Sequence, residues 1–108
     1  MQVSDLIKAL DLTLLTPEFE DRSVTGCYIG DLLSWVMGKA QAGDVWITIM
    51  NNINIVAVAS LTDCACIILC EGVTAAPEII SKAAAEDIII LSSEKTAFEL
   101  AKRISGVL

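Results

Sequence analysis

Three short apolar runs decide the fold: VWITIM at residues 45–50, CACIILC at residues 64–70 and IIIL at residues 88–91. Each run is rich in branched residues and carries almost no polar side chain. Strict alternation of apolar and polar residues indicates a half-buried strand, whereas continuous apolar runs of this length are typical of strands buried on both faces. We therefore expect these segments to form the middle of a parallel sheet.

Helical segments alternate with these strands. They are expected from Gly30-Asp31 onward, over about residues 54–61, from Pro77 to about residue 86, and over about residues 95–104. Upstream, residues 4–10 predict an amphipathic helix, residues 12–15 a strand, and residues 18–29 an irregular or edge segment. Strands alternating with helices predict one α/β domain over residues 1–108, layered, with a mostly parallel central sheet flanked by helices.

Capping residues are expected to mark the helix ends. Ser4 and Asp31 are the expected N-terminal caps of their helices, Ser92 or Ser93 that of the last helix, and Gly38 the residue that ends the helix after Asp31. Side-chain oxygens accept hydrogen bonds from the free N–H groups of a first turn, and glycine tolerates the left-handed conformation that ends many helices.

The chain is 55% apolar, with a mean hydropathy of +0.67, so a membrane span needs to be considered first. The longest uncharged stretch, residues 45–62, is interrupted by Asn51, Asn52 and Asn54, whose amides would be unsatisfied in a bilayer. We interpret this stretch as a strand, a turn and a buried helix. The N-terminus lacks the features of a signal peptide, and a cytoplasmic location without membrane contact is expected.

Charge and composition disfavour nucleic-acid binding and kinase activity. The net charge is −7, and the seven basic residues are scattered, which argues against nucleic-acid binding. The segment Gly38-Lys39-Ala40 is similar to the end of a phosphate-binding loop, but Leu33 stands where the first glycine belongs and Ala40 where the hydroxyl belongs. There is no histidine, so a kinase-type enzyme is the weakest hypothesis and no catalytic residue is predicted.

The cysteines Cys64, Cys66 and Cys70 are expected to be buried thiols. Along a strand that rises about 3.3 Å per residue, the first and last of them lie roughly 20 Å apart, too far to share one zinc ion. Buried cysteine commonly behaves as a small apolar residue. The sequence therefore predicts no metal site, no disulfide and no cofactor.

Ligands of open parallel sheets bind beyond the carboxyl ends of the strands. The polar residues expected at those ends are Asn51, Asn52, Glu71, Gly72, Thr74, Ser92 and Ser93. Hydroxyl and free N–H groups at helix starts suit an anion, so these residues predict a site for a phosphorylated or nucleotide ligand. Ordinary turn and capping roles explain the same residues without any ligand.

Large apolar side chains near the middle of the chain suggest self-association. Covering both faces of a sheet takes several helices and 108 residues supply few, so a two-fold dimer would bury what remains exposed. The residues expected at this interface are Tyr28, Trp35, Met37 and Trp46. The alternative is that they fill the core of one chain.

From Gly26 onward the chain resembles the DRTGG domain family. The resemblance rests on GCYIGDLLS (residues 26–34), GDVWITI (43–49), NIVAVASL (54–61) and CIILCEG (66–72), followed by Pro77. It implies an α/β regulatory module of the kind found beside catalytic or nucleotide-sensing domains, in some phosphate acetyltransferases and pyrophosphatases. Some stand-alone copies are labelled as kinases of a phosphocarrier protein, which the incomplete phosphate-binding loop does not support.

The family's signature is only partly present. Its Asp-Arg pair falls on Asn51-Asn52, and its Thr-Gly-Gly on Cys70-Glu71-Gly72, so only Gly72 is kept. We therefore expect a non-catalytic regulatory or interaction domain that acts as a homodimer. The alternative is a sensor that binds a small phosphorylated or nucleotide ligand at the strand ends. An enzyme partner is compatible with both.

Overall fold

Five helices and five strands make up the chain, and the computed structural model describes all residues from 1 to 108. The helices are α1 (Val3–Leu10), α2 (Leu33–Lys39), α3 (Asn54–Thr62), α4 (Pro77–Ala85) and α5 (Ala97–Ser105). The strands are β1 (Thr13–Leu14), β2 (Gly26–Ile29), β3 (Asp44–Thr48), β4 (Cys66–Leu69) and β5 (Ile90–Ser92). No helix combines the length and the apolar character that crossing a bilayer requires.

The five strands form one sheet in the order β1-β5-β4-β3-β2. Strands β2 to β5 are parallel, and the short β1 pairs antiparallel with β5. Every residue of β3 and β4 is buried, as the apolar runs predict for strands covered on both faces. The α/β fold with a mostly parallel sheet is therefore confirmed, with β2 at one edge.

Helices cover both faces of the sheet. On one face α1 and α5 contribute buried residues to a core with the strands, and on the other α2, α3 and α4 do so. The expectation that a single chain has too few helices to cover its sheet is wrong for the central strands. Because these strands are only four or five residues long, helices of seven to nine residues suffice.

Several capping expectations are wrong. Helix α1 begins one residue before Ser4, whose backbone N–H and hydroxyl both donate to the carboxylate of Asp21. Helix α5 is capped by Thr96, whose Oγ1 accepts from the backbone N–H of Glu99 at 3.2 Å. Ser92 and Ser93 lie too far upstream to cap this helix, because β5 ends at Ser92 and α5 begins only at Ala97. Helix α2 continues through Gly38 to Lys39.

Candidate functional site

The loops after β3, β4 and β5 meet at the carboxyl edge of the sheet. Asn51 Nδ2 donates to the carbonyl of Thr74 at 2.8 Å, which joins the first loop to the second. The N–H of Gly72 donates to the carbonyl of Ser93 at 2.9 Å, which joins the second to the third. The first pair is separated by 23 positions in the chain and the second by 21. The fold brings both pairs together, as expected for strand ends of one parallel sheet.

The middle loop is a tight turn at Glu71 and Gly72. Both residues have a positive φ, 57° and 76°, and the N–H of Val73 donates back to the carbonyl of Cys70 at 3.2 Å. This geometry is that of a type I′ turn, in which glycine is strongly preferred at the second central position. A side chain added at Gly72 would meet no atom within 4 Å, so the backbone here faces open space.

Most of the backbone donors that the anion hypothesis needs are already used. The N–H of Glu71 donates to the carbonyl of Lys95 at 2.9 Å, and the N–H of Ser93 to the carbonyl of Leu69 at 2.9 Å. The hydroxyl of Ser93 is buried and accepts from the N–H of Lys95 at 3.1 Å. Asn52 is occupied in its own loop, where Oδ1 accepts from the N–H of Asn54 at 3.0 Å.

Asp31 belongs to this edge, although the sequence suggests a helix cap. Its Oδ1 accepts from the hydroxyl of Thr48 at 2.8 Å and from the N–H of Ile49 at 3.0 Å. The carboxylate therefore braces the end of β3, and α2 starts without a side-chain cap. Sequence reasoning missed it because residues 26–29 carry no strong strand signal, so the end of β2 was not recognised.

The electrostatics of the edge oppose a strongly anionic ligand. Asp31, Glu71 and Glu94 are exposed here, and Lys95 is the nearby basic residue. No cavity lies at this edge. One cleft of about 420 Å³ lies at the amino end of β5, and another of about 490 Å³ lies between the C-terminal parts of α1 and α5.

Three buried cysteines lie in or beside the central strand β4, and Cys70 directly follows it at the carboxyl edge. Cys66 and Cys70 pack on the α1/α5 face and Cys64 on the other, as expected for core residues. Burial raises the pKa of the Cys64 thiol to about 11 and raises the pKa of Cys66 further. Buried, neutral thiols are poor nucleophiles, and no three cysteine, histidine or acidic side chains converge closely enough to hold one metal ion.

The residues proposed for an interface divide into two groups. Trp46 is fully buried, and its Nε1 donates to the carbonyl of Gly30 at 2.9 Å, so its assignment to an interface is wrong. Tyr28 lies beside it in the register of β2 and β3 and is half-buried. On α2, by contrast, Trp35 is 58% and Met37 52% exposed.

On the surface of α2, Lys39 contacts the side chain of Trp35. Its Nζ lies 4.5 Å from the centroid of the Trp35 ring, a cation–π contact on the outside of the helix. Lys39, the lysine of the segment that is similar to a phosphate-binding loop, therefore lies in the last turn of α2 and contacts an exposed aromatic ring.

Comparison with known proteins was made for the sequence and for the structure. The family model described as "DRTGG domain" matches residues 5–107. The structure resembles the crystal structure of the CBS and DRTGG domains of the regulatory region of Clostridium perfringens pyrophosphatase, complexed with its activator diadenosine tetraphosphate. The TM-score is 0.72 at 16% identity, covering 94% of this chain and 45% of that one, so the chain spans less than half of that structure. No curated protein sequence matches.

Proposed function

Because the chain belongs to the DRTGG domain family, we propose that it is a non-catalytic regulatory domain that acts as a homodimer. The observation that carries the dimer is the outer surface of α2. Leu32, Trp35 and Met37 are each more than half exposed, and Val36 is the buried residue of the helix. Scattered exposed apolar residues are ordinary, but Leu32 and Trp35 are three positions apart, where side chains are neighbours, and Met37 adds apolar surface on another side of the helix.

The position of α2 beside an edge of the sheet supports self-association. The helix follows β2, the edge strand, which pairs with β3 on one side only. An edge strand carries unpaired backbone groups that another chain can approach. Aromatic residues and methionine are enriched at the centres of protein interfaces, and a two-fold axis brings the same patch together from both copies.

The substitution Trp35→Glu tests this proposal. We expect a dimer mass for the unmodified chain in light scattering at micromolar concentration, and dimerisation weakened at least about tenfold by the glutamate, because a charge would then face a dry contact. The matched control is Phe98→Glu on α5, an aromatic residue that is 75% exposed. A monomer mass at high concentration, or equal weakening by both variants, would contradict an interface on α2.

A second candidate function is a sensor for a nucleotide or other phosphorylated ligand at the carboxyl edge. It is supported by the junction of the three loops and by the structurally similar regulatory region, whose crystal structure is a complex with diadenosine tetraphosphate. The candidate residues are Asn51, Asn52, Glu71, Gly72, Thr74, Ser92 and Ser93. The surrounding carboxylates and the partly lost signature favour the homodimer without such a ligand.

Amide NMR distinguishes these two functions. If the edge binds an anion, ATP and diadenosine tetraphosphate should shift the amides of Gly72, Thr74 and Ser93 in a saturable way. Inorganic phosphate is the control for simple charge effects. Unchanged shifts at these residues would rule out the sensor function and leave the homodimer proposal unaffected.

An enzyme is the partner that a regulatory domain of this family would act on, and we place that action in the cytoplasm, where free thiols remain reduced.

A further inference from the structure

The cleft at the amino end of β5 has no role in either proposed function. It is formed where residues 16–22 cross the end of α4 and the residues leading into β5. Its volume, about 420 Å³, falls in the range of small-molecule pockets. Apolar side chains of Phe19, Ile88 and Ile89 contribute to its lining, so the cleft offers both an apolar surface and a polar rim.

The rim carries carboxylates that the chain does not neutralise. Glu18, Glu20 and Asp87 are exposed, and their side chains make no hydrogen bond or ion pair within the chain. Asp21 accepts from the hydroxyl of Ser4, which lowers the pKa of its carboxyl group. The rim of the cleft therefore carries four acidic side chains.

The single basic residue of the cleft is already paired. Arg22 forms an ion pair with Asp63, and its Nη1 donates to the carbonyl of Cys64 at 2.9 Å. Its positive charge is therefore directed to the turn before β4. This leaves an excess of negative charge around an apolar surface, which disfavours phosphorylated ligands and favours cations.

The type of cation follows from the spacing of the carboxylates. No three acidic, cysteine or histidine side chains converge closely enough to hold one metal ion. A ligand with a longer body can satisfy separated carboxylates and also cover the apolar side chains between them. We propose that this cleft binds an ammonium or guanidinium group carried on an aliphatic chain. Such a group could come from a free polyamine or from a lysine or arginine side chain of a partner protein.

Amide NMR titrations of the full chain test the proposal with two probes, putrescine and a Lys-Gly-Arg peptide blocked at both ends. We expect saturable shifts at residues 18–22 and 87–89 with at least one probe. Binding of putrescine alone indicates a free polyamine, and tighter binding of the peptide indicates a partner protein. Either outcome supports the proposal that the cleft binds an ammonium or guanidinium group on an aliphatic chain.

The double variant Glu20→Gln/Asp87→Asn should weaken binding by about fivefold or more, because it removes two of the carboxylates that pair with the cation. Asparagine tolerates the positive φ of 58° at position 87, so the variant keeps the backbone. The control Glu94→Gln removes an exposed carboxylate outside the cleft and should leave binding unchanged. Equal shifts with magnesium chloride at the same ionic strength, or unchanged binding by the double variant, would overturn the proposal.

Discussion

We expect Trp46→Ala to lower the free energy of unfolding by about 3 to 5 kcal/mol, which is typical of removing a large aromatic side chain from a core. Trp46 has no exposed surface and packs with residues of α2, α3 and α4. Its loss opens a cavity between the sheet and these helices. It also removes the hydrogen bond from Nε1 to the carbonyl of Gly30, a bond of 2.9 Å at the end of β2.

Urea unfolding at a fixed protein concentration measures this effect. The control is Phe98→Ala, since the Phe98 ring is 75% exposed and its removal should change stability by no more than about 0.5 kcal/mol. The variant Trp46→Phe separates the two contributions, because it keeps much of the ring volume while the Gly30 carbonyl loses its partner. Similar losses for Trp46→Ala and Phe98→Ala would show that Trp46 does not belong to the core.

The second large effect is a loss of stability at alkaline pH, caused by the buried thiols. Burial raises the pKa of Cys64 from 9.0 to about 11, and burial with the nearby Asp44 carboxylate raises that of Cys27 to about 11. Burial also raises the pKa of Cys66. In the unfolded chain these thiols ionise near pH 9, whereas in the folded chain they stay neutral, so the unfolded state loses protons first.

The sign follows from this difference. Stability from the thiols is complete below about pH 9 and is lost as the pH rises through about 11. The shift at Cys64 alone corresponds to about 2 to 3 kcal/mol, and Cys66 adds to it. Urea unfolding between about pH 8 and pH 11 should show this decline.

The double variant Cys64→Ala/Cys66→Ala is the control for the alkaline effect. It leaves every other titratable residue of the chain in place, and its stability should show a shallower dependence on pH. The comparison concerns the slope, because alanine at a buried site lowers stability at every pH. Parallel slopes for the two proteins would show that the thiols do not cause the decline.

The sequence by itself determined the architecture at the centre of the molecule. Short continuous apolar runs rich in branched residues favour strands covered on both faces, so β3, β4 and β5 and the helices between them were predictable, and so was the meeting of their carboxyl ends. Burial of Cys64, Cys66 and Cys70 follows from the same runs. These features depend on local patterns, because nearly every residue of each run is apolar.

Tertiary structure alone decided the edges and the surface. Trp35 and Trp46 are equally apolar, and only the pairing of β2 with β3 and the packing of α2 place one outside and the other inside. Asp31 braces β3 because β2 ends beside it. The acidic cleft joins residues 16–22 to residues 84–89, more than 60 positions away. Such contacts arise from the packing of segments that are distant in the sequence, so the local pattern of apolar and polar residues does not predict them.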